Sequence, residues 1–151
     1  MRPTSLAAVL LALAAAAPMA AAGGSDALWH ATALVESGRD ASARNVDEDA
    51  VGIVQIRPSC LDDVNRIAAL RGLDVRFRPH DRYDPHKSRR MWELYLAHYG
   101  QEYRRATGEH PTDEVYARIW NGGPIGWRKR HTRPYWRRII RAMRENAEPV
   151  G

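Results

Sequence analysis

The sequence contains a single cysteine, Cys60, among 151 residues. A disulfide bond within the chain is therefore excluded, and packing alone must hold the fold together. We expect Cys60 to be a small, buried apolar residue, because no candidate base lies near it that would make it a nucleophile.

Motifs of several enzyme classes are missing as well. None of the six histidines belongs to a His-Glu-x-x-His arrangement, and His80 and His86 stand six residues apart in a polar connector. A metal site is therefore not predicted. No glycine-rich phosphate loop and no Ser/His/Asp set stands out in the sequence. We expect a protein without a metal or an organic cofactor.

The longest apolar run, residues 6–17, is too short for an ordinary transmembrane helix. Arg2 precedes it, and the small residues of Ala20-Ala21-Ala22 follow it. This order predicts a signal peptide over residues 1–22, cleaved after Ala22, with a retained signal anchor as the alternative. We therefore expect export to the periplasm or the extracellular space, with residues 23–151 forming one domain.

Positive charge is in excess, and the formal net charge is +5. Its densest run lies near the end of the chain and predicts an anionic partner: a cell-envelope polymer, a membrane surface or nucleic acid. Export makes nucleic acid the least favoured of these, and a merely solvated helix face is the alternative. The basic residues of this run are Arg128, Lys129, Arg130, Arg133, Arg137, Arg138, Arg141 and Arg144.

The spacing of apolar residues predicts a predominantly α fold with at most a small β element after the first helix. Residues 39–50 are polar and aperiodic, which indicates a loop or small hairpin, and residues 51–56 fit either a short strand or a helical turn. Capping residues and helix-ending residues place five helices. These are expected from Ser25 or Asp26 to Gly38, from Pro58 to near Gly72, from Asp84-Pro85 to near Gly108, from Pro111 to Asn121, and from Thr132 onwards.

Glu36 stands in the last turn of the first predicted helix, beside its apolar stripe. The helix dipole disfavours a negative charge at this end, and partial burial disfavours it further, so both effects raise the pKa of the carboxyl. A carboxyl that stays protonated near neutral pH can donate the proton that glycosidic bond cleavage requires. The alternative is a surface glutamate that pairs with Arg39 or Arg44.

Three blocks of sequence carry a resemblance to a known family. Glu36-Ser37 comes first, Gly52-Ile53-Val54-Gln55-Ile56-Arg57-Pro58 follows, and Trp120-Asn121-Gly122-Gly123 comes last. In this order they resemble the soluble lytic transglycosylase and goose-type lysozyme family. The family pattern is a Glu-Ser pair that ends a helix, then Gly-Leu-Met-Gln-x-x-Pro, then Tyr-Asn-Ala-Gly. The resemblance implies a lysozyme-like helical domain.

The resemblance also implies roles for individual residues. Glu36 matches the catalytic acid, Gln55 the glutamine that lines the sugar cleft, and Asn121 the asparagine near the catalytic glutamate. Ser37 and Trp120 belong to the same substrate-binding region. The implied reaction cleaves the β-1,4 bond between N-acetylmuramic acid and N-acetylglucosamine in peptidoglycan strands. A lytic transglycosylase would form a 1,6-anhydro-muramyl end, without a cofactor and as a monomer.

Two positions depart from the family pattern. Trp120 stands where the family has tyrosine, and an indole offers only an N–H donor to the catalytic glutamate. Either Trp120 takes over this role or another tyrosine does, and the candidates are Tyr95, Tyr99 and Tyr116. Cys60 stands where the family often has threonine, a change that we expect to affect packing only.

Acidic residues after Glu36 leave a second reaction open. Asp47, Glu48 and Asp49 lie in the loop that follows. An inverting hydrolase needs a second carboxylate to position water. The favoured alternative is that these acids form a solvated acidic loop. If one of them faces Glu36 across the cleft, a hydrolytic muramidase (lysozyme) is the better interpretation than a transglycosylase. The third alternative, favoured by Trp120, is a catalytically silent module that binds the cell wall through its basic face.

Overall fold

A computed structural model describes residues 23–147. The predicted signal peptide, residues 1–22, lies outside the described residues. The described part is predominantly helical with one small hairpin, and this confirms the predicted fold class. The helices are α1 (Asp26–Ser37), α2 (Pro58–Leu70), α3 (Pro85–Thr107), α4 (Asp113–Gly122) and α5 (Arg133–Ala147), and the strands are β1 (Arg44–Asn45) and β2 (Ala50–Val51). Short 3-10 turns occupy Pro79–Tyr83, Gly126–Arg128 and Arg130–Thr132.

The helices begin and end at the capping residues that the sequence offers. The side chains of Ser25, Asp84 and Thr112 accept hydrogen bonds from backbone N–H groups in the first turns of α1, α3 and α4. Gly38 and Gly108 end α1 and α3 in the left-handed conformation, with φ of 66° and 79°. Each cap satisfies backbone groups that a helix end leaves without partners. The end of α1 fixes where Glu36 lies.

Residues 51–56 form neither a regular strand nor a helix. Val51 pairs with Arg44 in the hairpin and also forms an isolated bridge with Ile56, in which the two residues exchange backbone hydrogen bonds of 2.9 and 3.2 Å. The chain turns back tightly between them, with Gly52 at φ 81° and Gln55 at φ 54°. Left-handed backbone at a residue other than glycine is strained, so the surroundings must hold Gln55 in place.

The connector of residues 73–83 is more than the polar link that the sequence predicts. Arg82 is buried and donates hydrogen bonds to the carbonyl oxygens of Pro79 (3.0 Å), Asp49 (2.9 Å) and Ile56 (2.9 Å). Gly52 lies so close to the Arg82 carbonyl oxygen that a Cβ atom there would be 1.9 Å from it. The buried guanidinium thus ties the connector, the hairpin and the tight turn together.

The core is built around α3, whose Met91, Trp92 and Leu96 are almost fully buried. Helices α1 and α5 pack against each other, and this contact brings Leu28 and Ile139 into the same core. The packing of α1 on α5 decides which side chains surround the end of α1. Within residues 23–147, no helix has both the length and the apolar character needed to cross a membrane.

Candidate active site

A cleft of about 440 Å³ opens where the ends of α1 and α4 face the hairpin and the start of α2. The side chains that line it are mostly polar, and they come from all three sequence blocks. Glu36, Gln55, Trp120 and Asn121 all lie on its walls. The remaining lining residues are Glu48, Arg57, Ser59, Cys60, Asp63, Tyr95, Gly122, Gly123, Pro124 and His131.

Glu36 is held at the cleft wall by one short hydrogen bond. The hydroxyl of Tyr135, a buried residue of α5, donates to Glu36 Oε1 at 2.7 Å. This contact is possible because α1 and α5 pack side by side. The alternative pairing of Glu36 with Arg39 is not made, since Arg39 donates instead to the side chain of Asn146.

Burial raises the pKa of Glu36 above its ordinary value. The Tyr135 hydrogen bond and the positive charges of Arg138 and Arg57 act in the opposite direction, but burial is the larger effect. The same environment raises the pKa of the Tyr135 hydroxyl well above its usual value, through burial and the nearby Glu36 charge. A carboxyl whose pKa is raised by burial, beside a phenol hydroxyl that donates to it, is an arrangement suited to a general acid.

Ser37 does not line the cleft, so its role is structural and not the substrate binding that the resemblance implies. Its hydroxyl donates to the carbonyl oxygen of Ile53 at 2.8 Å, and also approaches Ala33 O at 3.3 Å. This bond ties the end of α1 to the tight turn that carries Gln55. Ser37 therefore sets the distance between the helix of the candidate acid and the opposite part of the wall.

Gln55 lies at the cleft with its side-chain amide turned toward its own loop. Its Nε2 donates to the carbonyl oxygens of Gly52 at 2.9 Å and Ala43 at 3.4 Å. Within residues 23–147 its side-chain oxygen has no hydrogen-bond partner. An amide whose N–H groups are fixed in this way presents its oxygen as an acceptor.

Asn121 and Trp120 occupy the end of α4, on the side of the cleft away from the hairpin. Asn121 is exposed, and Trp120 packs edge-on against Tyr95, with ring centroids 5.6 Å apart. The hydroxyl that contacts Glu36 comes from Tyr135 and not from Tyr95, Tyr99 or Tyr116. Sequence reasoning missed Tyr135. No signal in the sequence near Tyr135 connects it with Glu36.

Of the three consecutive acids in the hairpin turn, Glu48 is the one that lines the cleft. Its carboxylate accepts a 2.6 Å bond from Arg57, another lining residue. Asp49 instead lies 3.7 Å from Arg44 and 3.9 Å from Arg82, and Asp47 is exposed; neither lines the cleft. The negative charge of Glu48 is close enough to contribute to the raised pKa of Glu36.

Two further lining residues come from α2. Asp63 accepts hydrogen bonds from the Tyr99 hydroxyl and from Arg66, so its carboxylate is held at the cleft wall. Cys60 lines the cleft and is half-buried, and not fully buried as the sequence predicts. Its surroundings still raise the pKa of the thiol to about 12, which disfavours the nucleophilic thiolate at neutral pH. No group of three or more His, Cys, Asp or Glu side chains within residues 23–147 is arranged to hold a metal ion.

Comparison with known proteins rests on structure. No protein-family model matches the chain, and no curated protein matches it either. The lysozyme of Tapes japonica superposes with a TM-score of 0.61 and 23% sequence identity, over 76% of this chain and 87% of that lysozyme. A chain from the complex of Aeromonas hydrophila PliI with Meretrix lusoria lysozyme superposes with a TM-score of 0.63 and 23% identity, over 80% of this chain and 93% of that one.

The chain has a lysozyme-like fold. The lysozyme-like helical fold that the resemblance of Glu36, Gln55 and Asn121 implies is thereby confirmed. The narrower soluble lytic transglycosylase group stays a prediction. In this domain with a lysozyme-like fold, a polar cleft holds a glutamate with a raised pKa at the end of the first helix.

Proposed function

We propose that this lysozyme-like protein cleaves the β-1,4 glycosidic bond between N-acetylmuramic acid and N-acetylglucosamine in peptidoglycan, with Glu36 as the proton donor. The observation that carries the proposal is the environment of Glu36. Its carboxyl lies on the wall of an open cleft, burial raises its pKa, and Tyr135 holds it with a 2.7 Å hydrogen bond. A catalytically silent module would not need an ionisable carboxyl in a buried position at the cleft wall, where burial disfavours its charged form.

The first step would be proton transfer from Glu36 to the bridging oxygen of the glycosidic bond. The C–O bond to the leaving sugar breaks, and positive charge develops at the anomeric carbon. Glu36, now a carboxylate, is stabilised by the Tyr135 hydroxyl and by the nearby charges of Arg138 and Arg57. These groups favour the charged form that appears only as the bond breaks, which is where stabilisation accelerates a reaction.

Glu48 supports hydrolysis as the completing step. It lines the same cleft as Glu36, and its ion pair with Arg57 holds a carboxylate there. A second carboxylate can position a water molecule, or stabilise the anomeric carbon, before water adds and returns a proton to Glu36. We therefore propose hydrolytic muramidase activity in preference to a lytic transglycosylase.

The transglycosylase is the second candidate, and the three sequence blocks favour it. In that reaction the acetamido group of the substrate would stabilise the anomeric carbon. Glu36 would then remove the proton from the muramyl 6-hydroxyl, which closes a 1,6-anhydro ring. Glu48 would have no direct part in this route. The two candidates therefore differ in what they require of Glu48.

Release of soluble muropeptides from purified cell wall tests the role of Glu36. We expect Glu36→Gln to abolish release, because the amide cannot donate a proton in the same way, while its oxygen can still accept the Tyr135 hydrogen bond. Thermal unfolding of the variant serves as the control for folding. Activity equal to that of the wild type would refute the proposal, and wall binding by the wild type without any cleavage would favour the silent module.

Mass analysis of the products and a second variant distinguish the two reactions. A reducing muramyl end indicates hydrolysis, whereas an anhydro end is lighter by one water. We expect reducing ends, and we expect Glu48→Gln to lower the rate on the order of 10²-fold or more, as removal of a positioned catalytic group typically does. Asp47→Asn, a neighbour outside the cleft lining, is the matched control. Anhydro ends with an unaffected Glu48→Gln variant would assign the transglycosylase.

A further inference from the structure

The outer face of α5 carries a row of arginines, here called the arginine stripe: Arg133, Arg137, Arg141 and Arg144. The buried positions of this helix are Tyr135, Ile139 and Ala142. At 100° per residue, the four arginines fall within an arc of about 80° on the opposite side of the helix axis. All four side chains are exposed.

The arginine stripe has no neutralising partners among residues 23–147. None of its members forms an ion pair with a carboxylate there, although Glu145 lies on the same helix. Arg133, Arg137 and Arg141 follow one another at intervals of four residues, where like charges repel each other. Arg133 also lies in the first turn of α5, where the helix dipole disfavours a cation. Local electrostatics thus oppose this arrangement of charges.

Arg138 is distinct from the arginine stripe. Its guanidinium carbon lies 5.4 Å from the centre of the Tyr135 ring, and its charge acts on Glu36. The basic run of the sequence therefore divides into two parts. Arg138 belongs with the Glu36–Tyr135 pair, while the arginine stripe faces away from the core and is available to a ligand outside it.

The surroundings of the arginine stripe indicate what kind of anion it fits. Large exposed apolar side chains in the described part of the chain are Val46, Leu70, Tyr83 and Ile125, and none of them lies on α5. A helix that inserts into a bilayer surface needs an apolar face beside its basic face. In α5 the apolar face is already buried in the core. The stripe therefore offers charge without a means of insertion.

We propose that the arginine stripe binds a linear phosphodiester polymer of the cell envelope. Arg133, Arg137 and Arg141 are about 6 Å apart along the helix axis, and the stripe spans about 16 Å from Arg133 to Arg144. A flexible chain with regularly repeated phosphates can follow such a row, and each guanidinium can contact one phosphate. The choice of an envelope polymer over another phosphodiester rests on the proposed function, which acts on the cell wall.

The test measures binding of fluorescently labelled poly(glycerol phosphate) to the purified protein at physiological ionic strength. We expect Arg137→Gln/Arg141→Gln/Arg144→Gln to bind on the order of 10²-fold more weakly than the wild type, as the loss of three cations facing a polyanion predicts. The dependence of affinity on salt should also become less steep. The matched control is Arg76→Gln/Arg90→Gln/Arg104→Gln, which removes the same charge from other exposed positions. We expect this control to bind within about threefold of the wild type.

Several outcomes would overturn the proposal. Equal losses in the two triple variants would show an effect of net charge alone. Tighter binding to vesicles containing anionic lipid, or to duplex DNA, at the same phosphate concentration would assign the stripe to a membrane or to nucleic acid. Cleavage of a soluble oligosaccharide substrate should be unchanged in the stripe variant. If the wild type and both variants fail to cleave this substrate, while only the stripe variant loses polymer binding, the proposed function fails and the stripe proposal stands.

Discussion

The hydrogen bond from Tyr135 to Glu36 makes a quantitative prediction. Tyr135→Phe keeps the buried ring and removes only the hydroxyl that donates to Glu36 Oε1 at 2.7 Å. A hydrogen bond to a charged group stabilises a protein by about 1.5–3 kcal/mol, and one between neutral groups by about 0.5–1.5 kcal/mol. The hydroxyl therefore favours the carboxylate form of Glu36 over the protonated form by about 1–1.5 kcal/mol.

Two measurements follow from this difference. Removing the hydroxyl raises the pKa of Glu36 further, because the hydrogen bond acts to lower it. The high-pH limb of kcat/KM, where the acid loses its proton, should then move to higher pH in Tyr135→Phe. Chemical denaturation, which needs no substrate, compares the free energy of unfolding of Tyr135→Phe with that of the wild type. The loss caused by the substitution should be smaller below the pKa of Glu36 than above it. The difference between the two losses should be about 1–1.5 kcal/mol.

Tyr103→Phe is the matched control for this prediction. Tyr103 is also buried, and its hydroxyl donates to Glu109 at 3.1 Å, away from the lining of the Glu36 cleft. This variant should leave the high-pH limb unchanged. The reasoning would be refuted if Tyr135→Phe left the limb in place or moved it to lower pH, or if its loss of stability were the same on both sides of the limb.

Three further predictions concern stability and reactivity. The folded pKa of Glu36 lies above its unfolded value, so its contribution to stability is full at low pH and is lost as pH rises through the folded pKa. Glu36→Gln should therefore raise the melting temperature at neutral pH and change it little in acid. Thermal unfolding at both pH values checks this, and an unchanged melting temperature at neutral pH would contradict it. Gly52→Ala should lower the free energy of unfolding by at least about 3 kcal/mol, because its Cβ would lie 1.9 Å from the Arg82 carbonyl oxygen. The control Gly72→Ala, at φ 66° with open space around it, should lower the free energy of unfolding by only about 1–2 kcal/mol through backbone strain. Chemical denaturation measures both. Cys60, whose thiol pKa is about 12, should resist iodoacetamide at neutral pH until the protein is denatured; rapid labelling of the native protein would show that the thiol is not enclosed.

Much of the fold could be predicted because the information is local. Ser25, Asp84 and Gly38 act through backbone groups within a few residues, so the helix ends follow from the sequence near each of them. Glu36 at the end of α1 and the hairpin after it are predictable for the same reason. The cleft lining also brings together Gln55 and Asn121, which the sequence blocks singled out.

The remaining features depend on contacts between distant parts of the chain. Tyr135 lies 99 residues from Glu36, and only the packing of α1 on α5 brings its hydroxyl to the carboxyl. Glu48 was one of three adjacent acids, and the hairpin register decides that it reaches the cleft while Asp47 does not. The sequence around Arg82 predicts only a polar connector. Arg82 can be buried because the folded chain places three carbonyl oxygens within hydrogen-bond distance of its guanidinium group.

The bonds of Arg82 have a consequence for motion near the cleft. One buried guanidinium holds carbonyl oxygens from the hairpin at Asp49, from the tight turn at Ile56 and from its own connector at Pro79. Local opening of the turn that carries Gln55 would take the Ile56 acceptor away from a buried cation, which is costly. The turn should therefore open together with the core, and its amide protons should exchange as slowly as those of α3. A cleft wall of this kind is already ordered before a ligand arrives, so binding does not lose the entropy of ordering a loop.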